Sequence, residues 1–131
     1  MNENAEAIAR AYLDAVSAKR LDRLDALVSA DVRFVGPAKT WTGREDVRAA
    51  LRRVSLIHVR NDIKRIFSDG DEVCVIYDFV TDTIGALATI EWLVIRDGRI
   101  ESIRLYYDQM PWQRAGEEIA RRVQASGAAT A

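Results

Sequence analysis

The chain contains few of the residues that build disulfides and metal sites. It has one cysteine, Cys74, and one histidine, His58, among 131 residues. A single cysteine excludes a disulfide within the chain, and structural zinc sites need several cysteine and histidine ligands. Cys74 lies in an apolar run and is interpreted as a small buried hydrophobe. We therefore expect no metal site.

The chain also lacks an excess of charge of either sign. Its 19 basic and 20 acidic residues give a formal net charge of -1, and no dense basic cluster occurs. This balance argues against binding to nucleic acid or to an anionic membrane surface. No apolar run approaches the ~20 residues of a membrane span, and the N-terminus does not resemble a secretory signal. We expect a soluble, cytoplasmic protein.

Motifs for nucleophilic catalysis and for phosphate binding are missing as well. The sequence has neither a nucleophile elbow nor a glycine-rich phosphate loop. What it does have is a hydrophobic content of 49%, enough for one compact core in a chain of this length. We assign residues 1–124 to a single domain and residues 125–131 to a disordered tail.

Periodic apolar residues predict helices in the first part of the chain. A four-residue repeat over residues 5–17 predicts an amphipathic helix with Tyr12 on its buried side. Leucines at similar spacing predict a second helix from residue 21 to about residue 31, followed by a short strand at 32–35. Thr42 and Glu45 have the spacing of a capping box, which predicts the start of a third helix.

After the third helix the pattern changes to strands, which are predicted at about 57–67, 72–82, 87–96 and 99–108. Asp-Gly pairs at 69–70 and 97–98 favour tight hairpins, and Gly85 favours a looser one. A last helix is predicted at 114–124. Helices followed by a long meander predict an α+β fold, in which three N-terminal helices wrap a cone-shaped, curved antiparallel sheet. A cone of this kind has room for a ligand.

Two carboxylates interrupt the apolar strands. Asp78 lies within residues 73–80, and Glu91 lies within residues 88–95. Burying an ionised carboxylate without a partner costs several kcal/mol, so each group must pair, take up a proton or line a cavity. Both residues are therefore candidates for acid–base chemistry, with an ion pair as the alternative for each.

Three stretches of the sequence resemble the nuclear transport factor 2-like superfamily, in particular its SnoaL-like and ketosteroid-isomerase-like members. Residues 11–37 are similar to the helix–helix–strand opening of those proteins. Residues 42–47 contain the glycine that precedes their third helix, and residues 95–108 are similar to their closing hairpin. The resemblance implies a cystatin-like α+β cone. The superfamily includes isomerases, cyclases, epoxide hydrolases, dehydratases and binding proteins without catalytic activity, so the fold alone does not fix the function.

The resemblance to ketosteroid isomerases also implies roles for particular residues. Tyr12 corresponds to the oxyanion-hole tyrosine of the first helix, and Glu91 corresponds to the acid beside it, which an apolar site keeps protonated. The general-base aspartate of those enzymes precedes a proline, whereas Gly36 precedes Pro37 in this chain. The sequence thus lacks the base of the steroid mechanism.

Other branches of the superfamily suggest further sites. In SnoaL-like cyclases an acid near the end of the last strand moves protons, and Asp108 is the nearest candidate. Limonene epoxide hydrolases use an Asp-Arg-Asp set. The last aspartate of that set corresponds to Leu105 in this chain, and its arginine has no clear equivalent.

Strand alternation extends the candidate site to its apolar walls, because residues two apart share a face. Asp78 shares its face with Ile76 and Val80, and Glu91 shares its face with Leu93. By the same family analogy these residues line the cavity, together with Val35, His58, Ile103, Leu105 and Tyr107. Trp92 then points outward, which suggests a homodimer through the outer face of the sheet.

The sequence therefore predicts an enzyme for acid–base chemistry on a small apolar molecule that contains a carbonyl group. Tyr12, Asp78, Glu91 and Asp108 are the candidate catalytic residues, and no cofactor is expected. Isomerisation, cyclisation and dehydration are all compatible with these groups. A binding or dimerisation domain without catalytic activity is the main alternative, and an epoxide hydrolase is a further one.

Overall fold

The computed structural model describes residues 2–126, which form helices around one curved sheet. The four α-helices are α1 (Asn2–Ser17), α2 (Leu24–Leu27), α3 (Arg44–Val54) and α4 (Trp112–Ala125), and a 3-10 turn at Leu21–Arg23 precedes α2. The strands are β1 (Val28–Val35), β2 (Thr40–Thr42), β3 (His58–Asp69), β4 (Glu72–Thr81), β5 (Ala86–Arg96) and β6 (Arg99–Tyr106). The predicted tail lies largely outside the described residues, although Ala125 belongs to α4.

The six strands form a single sheet in the order β2-β1-β6-β5-β4-β3. Every neighbouring pair is antiparallel except β1 and β6, which run parallel, so the sheet is not wholly antiparallel. Register shifts interrupt the pairing of β3 with β4 at two places and that of β5 with β6 at one. Bulges of this kind bend strands and increase their twist, and they accompany the curvature that makes the sheet a cone. The predicted α+β cone is confirmed.

The core lies between the concave face of the sheet and the helices. Along β5 buried and exposed residues alternate strictly from Ala86 to Leu93, as expected for a strand with one face on the core. Helix α1 supplies Leu13 and Tyr12 to this core, and each of them is at most 2% exposed. The concave face of the sheet thus holds both the core and the space for a site.

Several local predictions differ from the structure. The second helix ends at Leu27, and β1 begins at Val28, because the buried side chains from that residue onward follow a strand. The short strand β2 was not predicted. The capping box is also wrong, since Thr42 belongs to β2 and Gly43 is the N-cap residue of α3, with no side-chain capping bond. The Asp97-Gly98 turn is confirmed, since both residues have positive φ, as this two-residue hairpin requires.

Helix α4 closes one end of the cone. Ala115 and Ile119 on its inner side pack against Ile57, and all three are buried. On the solvent side, the guanidinium of Arg122 donates hydrogen bonds to both carboxylate oxygens of Asp82, each at 3.0 Å. The apolar contacts and this ion pair fix α4 across the sheet, so residues of α4 become part of the cavity wall.

Candidate functional site

A cavity of about 280 Å³ opens between the helices and the concave face of the sheet. Ligand pockets typically have volumes of roughly 300–1,000 Å³, so this cavity suits a small molecule. Most of its wall is apolar. The apolar lining residues are Leu13, Val16, Phe34, Trp41, Ala50, Leu51, Val54, Phe79, Leu105, Trp112 and Ile119.

Glu91 is the only acidic residue that lines this cavity among the described residues. Its side chain comes from the concave face of β5 and is 4% exposed. Burial raises the pKa of the Glu91 carboxyl to about 7, although a hydrogen bond from Tyr77 acts in the opposite direction. Near neutral pH both the protonated and the ionised carboxyl are therefore populated.

The two oxygens of Glu91 have different environments. Oε2 accepts a short hydrogen bond from the hydroxyl of Tyr77, which comes from the neighbouring strand β4. Oε1 is buried and has no hydrogen-bond partner among the described residues. An unpartnered buried polar atom is costly, and in a cavity it is available to a ligand. Tyr77 thus fixes one oxygen of the carboxyl, whereas Oε1 has no partner among the described residues.

Two tyrosines lie close to this carboxyl in the cavity wall. Tyr12 of α1 and Tyr77 of β4 are 1% and 4% exposed, respectively. Burial raises both pKa values well above the usual value of 10.0, and the nearby charge of Glu91 raises them further. Both hydroxyls therefore keep their protons near neutral pH, where they are hydrogen-bond donors. The floor of the cavity combines one carboxyl of adjustable charge with two neutral hydroxyl groups.

Basic residues lie at the outer end of the cavity. Lys39 and Arg53 both line it and are exposed to solvent, in contrast to Glu91. The Lys39 ammonium lies 5.5 Å from the ring centroid of Trp41, which is within the range of a cation–π contact. The two exposed cations and the buried carboxyl thus differ in depth within a mostly apolar wall, which also contains the polar side chains of Asn61 and Thr89.

Helix α4 contributes an aromatic residue that the sequence did not mark as part of the site. Trp112 lines the cavity and packs against Phe79 and Tyr107, with ring centroids 5.9 and 5.5 Å away. Its indole Nε1 is buried without a hydrogen-bond partner among the described residues. A ligand acceptor at this position would satisfy that donor.

Four predicted residues line the cavity, and two more lie close to it in the core. Tyr12 and Glu91 line it as described, and Leu105 and Tyr107 do so from β6 and the segment after it. Leu93 and Ile103 also face the concave side, but they are fully buried in the core and do not line the cavity.

His58 and Val35 lie beside the cavity and do not line it. The His58 ring stacks on Phe79 at a centroid distance of 4.1 Å, and its Nε2 is 2.9 Å from the side-chain oxygen of Asn61. Burial lowers the pKa of His58, so the neutral ring is favoured. Val35 lines a separate crevice next to Gly36 and Arg104. The structure therefore places neither of these two residues in the wall of the cavity, although the sequence predicted both there.

The predicted position of Asp78 is wrong. Its neighbours Tyr77 and Phe79 face the cavity, which places Asp78 on the convex face of the sheet together with Ile76 and Val80. There the Asp78 carboxylate lies 3.6 Å from the ammonium of Lys64, and its side chain is 33% exposed. These three residues belong to the outer surface, and the alternative of an ion pair for Asp78 is the one observed.

Asp108 is also outside the cavity. It is exposed, and its carboxylate accepts a hydrogen bond of 3.0 Å from the backbone N–H of Met110. The last strand ends at Tyr106, so the alternation that was extended to residue 108 no longer applies at this position. Asp108 stabilises the turn that leads into α4.

Gly36 lies beside the cavity residues, at the position where the resemblance placed a missing base. A Cβ atom at this position would be 3.4 Å from the Tyr107 hydroxyl and 3.7 Å from the Trp41 ring. Both side chains line the cavity. No carboxylate is supplied here, so within residues 2–126 Glu91 is the only carboxyl in the wall of the cavity.

No group of three or more His, Cys, Asp and Glu side chains within residues 2–126 has an arrangement that could hold a metal ion. Across the same residues, no helix has the length and apolar character needed to span a membrane.

Comparison with known proteins places the chain in a family. The family model described as the SnoaL-like domain matches residues 9–103, well over half of the chain. A comparison with curated proteins finds no match.

Solved structures with the same fold include proteins of several kinds. A steroid delta-isomerase from Pseudomonas aeruginosa is 24% identical with a TM-score of 0.75, and the match covers 95% of each chain. A candidate ketosteroid isomerase from Kribbella flavida is 22% identical with a TM-score of 0.73, covering 82% of this chain and 79% of that one. An NTF2-like protein of unknown function from Cytophaga hutchinsonii is 18% identical with a TM-score of 0.74, covering 82% and 93%. At these identities the likeness shows the fold alone.

The buried position of Glu91 predicts a pH-dependent cost to folding. Its pKa is about 7 in the folded chain against the usual value of 4.5, so between these values the folded state binds more protons. Stability therefore falls as the pH rises, by roughly 3 kcal/mol once Glu91 is ionised. We expect the free energy of unfolding of Glu91→Gln, measured in urea, to rise relative to that of wild type by about 2–3 kcal/mol between about pH 5 and pH 8.

The matched control for this experiment is Glu101→Gln, since the side chain of Glu101 is 45% exposed and pairs with Arg96 at 3.2 Å. Its stability relative to wild type should change little over the same range. A constant difference between Glu91→Gln and wild type would contradict the buried, raised-pKa carboxyl.

Proposed function

The chain belongs to the SnoaL-like domain family, and on that premise we propose that it is an enzyme that moves protons on a small, largely apolar carbonyl compound. The proposal places Glu91 as the group that takes and returns the proton, Tyr12 as a hydrogen-bond donor to the substrate oxygen, and Tyr77 as the residue that positions Glu91. The observation that carries it is the buried Glu91 carboxyl, which lines an apolar cavity and whose Oε1 has no hydrogen-bond partner among the described residues.

The pKa of Glu91 supports this role because a general acid–base catalyst works best near the pH of its surroundings. A value of about 7 lets the ionised form remove a proton from carbon next to a carbonyl. The resulting carboxylic acid then returns that proton to another carbon, which shifts a double bond without any net oxidation or hydrolysis. The Tyr12 hydroxyl stabilises the enolate oxygen that forms in between.

The presence of one carboxylate narrows the class of reaction. Epoxide hydrolysis by paired acids needs a second carboxylate, and within the described residues Asp78 and Asp108 both lie outside the cavity. Isomerisation needs only one group that alternates between base and acid. Isomerisation is therefore favoured over hydrolysis.

A binding domain without catalytic activity is the second candidate, and the same observation favours it. A neutral Glu91 can donate a hydrogen bond to a ligand oxygen, and a single acid is sufficient for recognition. An enzyme of this kind exchanges protons with the bound molecule, whereas a binding domain does not.

The enzymatic proposal can be tested without knowledge of the natural substrate. Cyclohex-3-enone is a small β,γ-unsaturated ketone, and its conversion to cyclohex-2-enone is followed by ultraviolet absorbance. We expect wild type to accelerate this conversion, with a rate that increases as Glu91 ionises around pH 7. Loss of the base in Glu91→Gln should lower the rate by about 10²–10⁴-fold, and Tyr12→Phe should lower it by about 10²-fold or more.

Asp78→Asn is the control, since its side chain lies on the convex face and the sequence alone marked it as an equal candidate. It should retain the wild-type rate. A folded Glu91→Gln variant with the wild-type rate would contradict the catalytic role. Binding of the ketone with no acceleration by wild type would favour the binding domain.

We also propose that the convex face of the sheet forms a homodimer. Trp92 and Tyr106 are 39% and 50% exposed there, and Phe67 is 51% exposed. The register joins them through Ile90, which pairs with Tyr106, and Cys74, which pairs with both Phe67 and Trp92. Together they form an apolar patch that crosses four strands, and patches of this kind mark protein interfaces. A second copy presents the same patch, so a twofold arrangement covers both.

The dimer is tested by Ile90→Glu, which places a charge at the centre of this patch. We expect wild type to sediment as a dimer and the variant to sediment as a monomer. Met110→Glu is the matched control, because Met110 is 83% exposed but follows the sheet rather than lying in it. A monomeric wild type, or dissociation caused equally by Met110→Glu, would contradict the proposed face.

A further inference from the structure

We propose that the cavity binds small organic acids, with the ligand carboxylate at the rim beside Lys39 and Arg53 and the apolar body directed toward Glu91. This inference rests on the proposed use of the cavity for a small molecule, but it does not depend on catalysis. It names the chemical class of the ligand and the two residues that select it.

The charged residues of the cavity wall differ in their exposure to solvent. Within the described part of the chain, the charged residues that line the cavity are Lys39, Arg53 and Glu91. Glu91 is 4% exposed at the floor, whereas Lys39 and Arg53 are exposed, which places both cations on the solvent side. The chain as a whole has a formal net charge of -1, so the positive rim is a local property of this opening.

The described part of the protein does not neutralise these two cations. Within residues 2–126 neither Lys39 nor Arg53 takes part in an ion pair. By contrast, Arg48 and Arg122 each contact two carboxylates. The Lys39 ammonium lies over the Trp41 ring, which itself lines the cavity, so the charge stays at the opening.

The positions of these charges set the direction of the ligand in the cavity. An anionic group at the floor would lie beside a buried carboxyl, where desolvation and like-charge repulsion both oppose it. At the rim the same group remains partly hydrated and meets two basic side chains that bind carboxylates. A carbonyl at the opposite end of the ligand then reaches the hydrogen-bond donors at the floor. The ligand class that fits is an apolar keto acid.

The experiment compares 4-acetylbenzoate with its methyl ester, two rigid probes that carry a ketone at one end and differ in charge at the other. Binding is followed by the fluorescence of Trp41 and Trp112, which both line the cavity. We expect wild type to bind the acid more tightly than the ester at low salt. Lys39→Met and Arg53→Gln should each reduce this preference by about two- to fivefold, as expected for partly exposed ion pairs.

Arg52→Gln is the matched control, because Arg52 is the exposed neighbour of Arg53 on α3 but does not line the cavity. It should leave the preference unchanged. The proposal is overturned if wild type binds the ester at least as tightly as the acid, or if neither probe binds at millimolar concentration. It is also overturned if Arg52→Gln reduces the preference as much as Arg53→Gln, or if only Glu91→Gln removes it.

Failure of this proposal can be told apart from failure of the enzymatic one. If wild type isomerises the ketone but does not bind the acid more tightly than the ester, only the proposed ligand class is contradicted. If wild type prefers the acid but Glu91→Gln turns over the ketone at the wild-type rate, only the catalytic role of Glu91 is contradicted.

Discussion

The hydrogen bond from the Tyr77 hydroxyl to Glu91 is the interaction on which the chemistry that we propose for the cavity depends. It joins β4 and β5 on the concave face and holds one carboxylate oxygen in a place that water does not reach. The hydrogen bond favours the charged carboxyl, whereas burial disfavours it more strongly, and the pKa of about 7 is the net result. A shift of this size requires the apolar walls around the carboxyl as much as the carboxyl itself.

The fold could be predicted from the sequence more completely than the site. Strand period, the Asp97-Gly98 turn and the resemblance to NTF2-like proteins together gave the cone, and Glu91 was correctly placed on its concave face. Asp78 was placed wrongly because both faces of β4 are apolar, so alternation shows which residues share a face but not which face is inside. The family analogy then chose the wrong one, and Tyr77 was missed for the same reason.

A different signal could have identified Tyr77. In the observed register Tyr77 pairs with Thr89, which shares its face with Glu91. Knowledge of the β4–β5 register would therefore have placed Tyr77 beside the carboxyl, but the loop that contains Gly85 does not fix this register from sequence alone. The sequence also could not predict that Trp41 and Trp112 line the cavity, because their positions depend on how the short strand β2 and helix α4 pack across the cone.

The loss of Asp78 and Asp108 from the cavity changes the chemistry that the site can perform. An acid with a pKa near neutrality can serve as base and acid in turn, so one carboxyl suffices for moving a proton within a substrate. The apolar walls keep this group from pairing with a cation, and the two basic residues stay at the rim. In the binding mode that we propose, the separation of charge between floor and rim gives a ligand one orientation.

The most direct test is an NMR titration of the Glu91 side-chain carboxyl carbon in the free protein, assigned by comparison with Glu91→Gln. We expect the Glu91 signal to titrate with a midpoint near 7, because burial outweighs the hydrogen bond from Tyr77. A midpoint near the usual value of 4.5 would show that the carboxyl is solvated or paired, and would contradict its role as the proton-transferring group.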